Sequence, residues 1–457
     1  MNQRIAALIH IFLIVVLILS ACDTKGEKLD LDILDDDKVV AERFVIWWDE
    51  GVRVPYQFAE EALSKRFPNT NFRFTPFLHP PPQGLFPSDY PFTHLLTMMR
   101  SEPSPDLIVF DNRYLSLMIE TDYLEPIPDA YGMELDDNAV NEFRSVAPDL
   151  ALYALPFGRI AEGLFYNKKL FDAMDVPYPR DGMTWDEVIG LAMVFKKGEE
   201  SPIYITPFDS MASQLSLRLY DPETELLDFE SEAWKELTRI LVEFNDLADI
   251  RATMADVNNI YNVKDPFFSF VKGELPMMVG PLFGHQSWKI GLLNYESSLI
   301  FWETEWDIAG FPVFDDERRL RPADYLLGIG IPKRAANKED AFKVMRYLLS
   351  REVQEENSRK GLISMRADAD AFMDEFGSST ILAGKSVVSL LSDGPKGERD
   401  PIFEFFKAIY SSLYFMVYGD DFWRDTIVET TQEGIRERIM KIMNERQQFI
   451  EEMRSRF

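Results

Sequence analysis

The stretch ALPFGRIAEGLFYNKKLFDAMDVPYPRDGMTWDEVIGLA, Ala154 to Ala192, sets a strand and two helices in a fixed order. From about Ala161 to Tyr166 it is apolar and aromatic enough for a buried strand, and a short helix is expected after Asn167. Thr184 followed three residues later by Glu187 is a capping box, in which side chain and backbone satisfy each other's orphan donors, so a second helix starts at that threonine.

Working outward toward the N-terminus, PDLIVFD (Pro105 to Asp111) is a short apolar strand stopped by an acid, and TNFRFTPF alternates as a strand should. RFVIWWDEG (Arg43 to Gly51) reads as a buried first strand ending in a turn. Pro55 then opens an amphipathic stretch with Phe58, Ala62, Leu63 and Phe67 on one side. His79 to Pro91 holds five prolines and is loop, and after it Phe92, Leu95, Leu96 and Met99 recur at helical spacing. Strand, helix, strand, helix, strand is the alternation of an α/β layer with parallel strands. Toward the C-terminus, DPFFSFVKGELPMMVGP reads as a helix, a stop at Gly273 and a strand ending at Gly280-Pro281. EWDIAGFPVF and YLLGIGIPK are apolar strands, and Asn337 with Asp340 opens a further helix. Asp420 to Phe457 is expected to be a long helix with Phe422, Ile427, Ile435, Ile439 and Met443 as its buried stripe.

The first 21 residues carry one cation, Arg4, an apolar run from Ile5 to Leu19, and small residues at Ser20 and Ala21, which is the pattern of a secretory signal. Leu19-Ser20-Ala21-Cys22 resembles the lipobox of bacterial lipoproteins. That resemblance implies lipidation of Cys22 and cleavage before it; with a single cysteine in the chain, no internal disulfide is possible. Residues 22–42 are rich in acid and contain no aromatic residue, so they read as a solvated tether. The chain of 457 residues carries a net charge of −29, and loss of Arg4 with the signal makes the remainder more negative still. Such a surface repels nucleic acid and anionic lipid. With 46% hydrophobic residues the rest is large enough for two or three cores.

Taken together, PDLIVFD with YLEPI, LPFGRIAEGLFYNKKLFDAMDVPYP with MTWDEV, FVKGELPMMVGP, WDIAGFPV and GIGIPKRAANKEDAFKVMRYLLS resemble, in order, the extracellular solute-binding proteins of ABC importers related to maltose-binding proteins. The resemblance spans about Phe44 to Arg366. It implies an α/β, two-lobe, periplasmic-binding-protein-like fold of type II, with discontinuous lobes joined by hinge strands. Matching implies one lobe from 43–111 plus 308–362 and another from 112–307 plus 363–457. It further implies a small-molecule ligand, in the first instance an oligosaccharide, held in the cleft between lobes, an ABC permease as partner, and no cofactor. The receptor is then a monomer on the extracytoplasmic face of the cell membrane, held by its lipid.

Sugar recognition uses flat apolar faces and side chains that exchange hydrogen bonds with hydroxyls. Trp47, Trp48 and Asp49 at the end of the first strand offer both, with Trp48 and Asp49 favoured toward the cleft and Trp47 as the alternative, since neighbouring strand residues face opposite ways. Asp111 is either a hydroxyl acceptor or a helix N-cap. For Arg159 and Glu162 the resemblance implies ligand contacts, and an ion pair bracing the lobe is the alternative. Trp288, after the Gly280-Pro281 turn, lies where the resemblance implies a stacking aromatic, with a packed helix residue as the alternative, and Tyr325 begins a strand near the hinge. Trp302 and Trp306 read as structural.

The four histidines, His10, His79, His94 and His285, are isolated, and zinc motifs, nucleophile elbows and phosphate loops are missing from the sequence. No metal site or enzyme is expected. Carboxylate pairs for glycoside cleavage have no obligatory sequence spacing and stay an alternative. A lipoprotein serving a membrane sensor or adhesion is another.

Overall fold

The computed structural model describes residues 41–49, 53–77, 99–100, 103–128, 133–196, 202–205, 208–218, 220–221, 226–227, 231–247, 269–270, 272–282, 305–314, 320–391, 394–398, 440, 444 and 446–455. In chain order the elements begin with β1 (Arg43–Asp49), α1 (Arg53–Arg66), β2 (Asn71–Phe77), β3 (Leu107–Asp111), α2 (Leu115–Glu120) and α3 (Asp137–Ser145). Next come β4 (Leu155–Ile160), β5 (Glu162–Asn167), α4 (Lys168–Met174), α5 (Trp185–Phe195), β6 (Ile203–Ile205) and α6 (Phe208–Gln214). A short ribbon of β7 (Tyr220–Asp221) and β8 (Leu226–Leu227) precedes α7 (Glu232–Leu247), and β9 (Met277–Pro281), β10 (Trp306–Gly310), β11 (Tyr325–Gly330), α8 (Lys338–Leu348) and α9 (Arg351–Arg359) complete the series.

Two larger sheets organise these elements. The first runs β2-β1-β3-β11-β4 and the second β10-β5-β9-β6. β1 is parallel to β2 and β3, as the strand and helix alternation predicts, whereas β11 returns antiparallel to both β3 and β4. All five residues of β3 are buried, which is why Leu107 to Phe110 are continuously apolar instead of alternating before the strand ends at Asp111. Asp106, itself buried, pins the start of this sheet: its carboxylate accepts the Val45 N–H at 2.8 Å and the Asn337 side-chain amide at 2.9 Å.

The helix starts obey local rules unevenly. Glu187 N–H donates to Thr184 Oγ1 at 3.2 Å and Thr184 N–H to Glu187 Oε2 at 2.9 Å, so the expected capping box forms. Asn167 caps α4 with its side chain. Asn337 stands at the N-cap of α8 without a capping side-chain bond, because Asp106 takes its amide and Asp340 instead accepts the Ala41 N–H at 2.8 Å. The second sheet packs Leu164, Met277, Val279 and Ala309 against Trp185, Val188, Met211 and Leu237 from the helices.

Sheet membership places the crossings elsewhere than the expected lobe boundaries. β4, at 155–160, lies in the first sheet although 112–307 was assigned to the second lobe, and β10, at 306–310, lies in the second sheet although 308 onward was assigned to the first. LPFGRI escapes recognition as a strand because Pro156 interrupts it, and the structure accommodates that proline on an edge strand. Only Ala161 separates β4 from β5, so the chain passes from one sheet to the other in a single residue. The helical residues 446–454 pack against α2. Arg446 pairs with Glu120 of α2 at 2.5 Å, and Arg454 Nε donates to the Glu120 carbonyl at 2.7 Å. The expected stripe Phe422, Ile427, Ile435, Ile439 and Met443 lies outside the described residues.

Gly328, in the middle of the first sheet, allows α3 to approach closely. A Cβ there would meet Phe143 Cε1 at 2.8 Å and Phe110 Cζ at 3.2 Å, and both rings are buried. Gly328→Ala is therefore expected to destabilise the protein by about 1–3 kcal/mol through overpacking, read from the midpoint of chemical denaturation.

Candidate functional site

The carboxyl end of β3 meets the place where the chain crosses between sheets. Asp111 ends β3 fully buried, and its carboxylate accepts the Arg113 N–H at 3.0 Å, capping the short 3-10 turn Asn112–Tyr114. The same carboxylate accepts Arg113 Nε at 2.6 Å, and the second guanidinium nitrogen Nη2 closes the pair. Asp111 is thus both cap and counter-ion. A buried carboxylate and guanidinium are tolerated together because each satisfies the other, whereas either alone would be costly.

Arg113 reaches further. Its guanidinium lies 4.9 Å from the centre of the Tyr325 ring and donates through Nη2 to the Tyr325 hydroxyl at 3.3 Å. Through Nη1 it donates to Asp209 Oδ2 at 2.8 Å. Asp209 belongs to α6, whose Met211 and Ala212 sit in the core of the second sheet, so this contact joins the two halves. Next to it, Ser210 Oγ donates to Glu162 Oε1 and Oε2, at 2.9 and 2.8 Å. Asp111, Tyr325 and Glu162 are therefore gathered around α6 and Arg113. Arg113, Asp209 and Ser210 went unrecognised in the sequence. The spacing Asp-x-Arg after a strand is a usable signal for Arg113; Asp209 and Ser210 carry none, since only folding brings them near β3.

The other expected residues divide. Arg159 does not pair with Glu162: its Nη1 lies 3.6 Å from Asp324 on the segment leading into β11. Asp324 also pairs with Arg321 and, at 2.6 Å, with Lys396, which in turn reaches Glu142 of α3 at 2.6 Å. Burial alone would raise Asp324, but the Arg321 hydrogen bond and the charges of Arg159, Arg321 and Lys396 outweigh it and hold its carboxyl down at about 2. Trp48, favoured as cleft-facing, is only 2% exposed and packs edge-on against Phe157 at 5.4 Å and beside Phe74 at 6.0 Å. Trp47, the alternative, is also buried, at 7%. Asp49 closes β1, its side chain lying outside the description, and Trp288 and Cys22 are outside the described residues. Trp306 is buried against Phe165 and Phe270, in keeping with a structural reading. Trp302 is likewise outside the described residues.

Chemically the cluster offers carboxylate acceptors, a guanidinium with fixed donors and one aromatic ring. Among the described residues no group of three or more His, Cys, Asp or Glu could hold a metal ion, and no helix is long and apolar enough to cross a membrane.

Two consequences can be measured. Trp48→Ala is expected to cost about 3–5 kcal/mol in unfolding free energy, the range for emptying a large aromatic core site. Asp324 is charged in the folded protein at pH values where the unfolded group, near 3.8, already takes up a proton. Its stabilisation is therefore full above that value and is lost as pH falls toward about 2. Asp324→Asn should be less stable than the parent by about 2 kcal/mol at pH 7, with the difference shrinking progressively below pH about 4 in urea melts.

Comparison with known proteins agrees with this architecture. The family model described as bacterial extracellular solute-binding protein matches residues 57–355. No curated protein sequence matches the chain. Among solved structures, an ABC substrate-binding protein from Listeria monocytogenes in complex with cycloalternan superposes with a TM-score of 0.61 at 15% identity, covering 90% of this chain and 99% of that one. The sugar-binding protein MalE from Xanthomonas citri gives 0.56 at 16% identity, with 90% and 99% covered. UgpB from Mycobacterium tuberculosis in complex with glycerophosphocholine gives 0.60 at 14%, with 91% and 99% covered. At these identities the likeness establishes the fold, an α/β two-lobe periplasmic-binding-protein-like arrangement. With the family model covering most of its length, the chain belongs to the bacterial extracellular solute-binding proteins.

Proposed function

We propose that the chain is a lipid-anchored receptor on the extracytoplasmic face of the membrane. It captures an oligosaccharide between its two lobes, without turnover, and presents it as a monomer to an ABC import permease. The observation that carries the reading is the convergence of Asp111, Arg113 and Tyr325 from the first sheet with Glu162, Asp209 and Ser210 from the second, at the carboxyl end of β3. Open α/β sheets take ligands at such strand ends. A sugar presents many hydroxyls that donate and accept at once, which suits a cluster of carboxylates, a guanidinium and a tyrosine. The cycloalternan-bound relative from Listeria supports the choice of carbohydrate.

Anchoring rests on Leu19-Ser20-Ala21-Cys22, with the acidic residues 22–42 as tether. The hinge consists of the Ala161 passage and the return between β10 and β11. Ligand touches both lobes only when they are together, and that difference in affinity shifts the population toward the closed form. Asp49 and Trp288 extend the binding surface, in this reading, beyond the described cluster.

A thermal-shift screen against mono- and oligosaccharides, oligopeptides and polyamines tests the proposal. A cognate glycan at about 100 times its Kd is expected to add about 2.7 kcal/mol of stability. Trp288→Ala should weaken that shift at the same ligand concentration. A shift from peptides or polyamines alone would overturn the carbohydrate assignment.

A further inference from the structure

The polar residues of α6 occupy one face: Asp209, Ser210, Ser213 and Gln214 stand at i, i+1, i+4 and i+5. The opposite face, with Met211 and Ala212, is buried in the core of the second sheet. Three of them reach segments that connect the lobes. Ser210 holds Glu162 at the start of β5. Ser213 Oγ accepts the Ala323 N–H at 3.0 Å, and Gln214 Nε2 donates to the carbonyls of Pro312 and Leu320 at 2.8 and 2.9 Å. Those three residues lie on the return from β10 to β11. Asp209 differs, because it reaches across to Arg113, on the first lobe beyond β3.

Among the described residues, the two carboxylates on Arg113 are not equivalent. Asp111 is completely inaccessible and sits two residues away on the same lobe, so it stays with Arg113 in any lobe arrangement. The Asp209 side chain keeps 20% of its surface and sits on the other lobe. When the lobes part, Asp209 gains water while Arg113 remains held by Asp111 and aimed at the cleft. We propose that Arg113 and Asp209 form an interlobe latch, which biases the protein without solute toward approach of the lobes and which α6, fixed to the hinge segments, keeps in register. Arg113 acts here as a positioning residue, organised by Asp111 and Tyr325 before Asp209 arrives. The latch lowers the cost of closure that a solute must meet, since affinity falls with the fraction of protein in the competent arrangement.

The inference rests on the two-lobe hinge reading and does not depend on which solute binds. It is tested by distance measurement between spin labels on the full chain carrying Cys22→Ser, with labels at Glu61→Cys on α1 and Lys235→Cys on α7, both exposed positions. In the absence of solute, Asp209→Asn is expected to enlarge the long-distance population relative to the short one by about threefold to tenfold, the loss of one charge-assisted bond. Asp209→Glu, which keeps the charge, should remain close to the parent. An unchanged distribution in Asp209→Asn would overturn the latch. So would an equal shift in both variants, which would assign Asp209 to the first turn of α6 instead of to Arg113. A flat distance result accompanied by a glycan-induced thermal shift removes the latch and leaves solute capture standing. A distance shift with no response to any glycan does the reverse.

Discussion

The single-residue passage at Ala161 is the constraint around which the rest of the molecule is arranged. β4 ends at Ile160 in one sheet and β5 begins at Glu162 in the other, so no loop absorbs the change of direction. The backbone groups at such a junction still need partners. The Ala161 carbonyl accepts the Leu282 N–H at 2.8 Å, and Arg159 exchanges backbone bonds with Ile363, at 2.8 and 3.0 Å. Segments distant in sequence are thereby drawn to the same point.

Charged groups follow them. Around the crossing the structure buries Asp111 with Arg113, and gathers the partly buried Asp324 with buried Arg159, partly buried Arg321 and the more exposed Lys396. In a low-dielectric setting such groups persist only in mutual company, and each pairing fixes the relative placement of two segments. Asp324 joins the entry to β11 to the end of β4 and, through Lys396 and Glu142, to α3. Arg113 joins β3 to α6. The same side chains thus tie together the segments that meet where the chain crosses between the two sheets.

Motifs that carry the family resemblance are architectural in the structure. Tyr166-Asn167-Lys168 is a strand end, a cap and an ion pair to Asp307 at 2.8 Å. The tryptophan of TWDEV, Trp185, is fully buried against Phe244 and Phe311, with its indole N–H on Gln214 at 3.2 Å. Trp48 belongs to the same class. An exposed-looking aromatic at a strand end is ambiguous by sequence, because alternation says which neighbours face oppositely and not which face is covered.

By itself the sequence determined the α/β class, the parallel opening strands, the capped start of α5 and the apolar strands β3, β9, β10 and β11, since these depend on periodicity, caps and turn chemistry within a few residues. The order of blocks also carried the family. Tertiary structure alone decided that Pro156 lies in an edge strand, that Arg159 turns to Asp324 and not to Glu162, and that Asp209 meets Arg113 across 96 positions of chain. Those outcomes follow from which buried charges come within reach of one another once two sheets have packed. Local sequence cannot encode that distance.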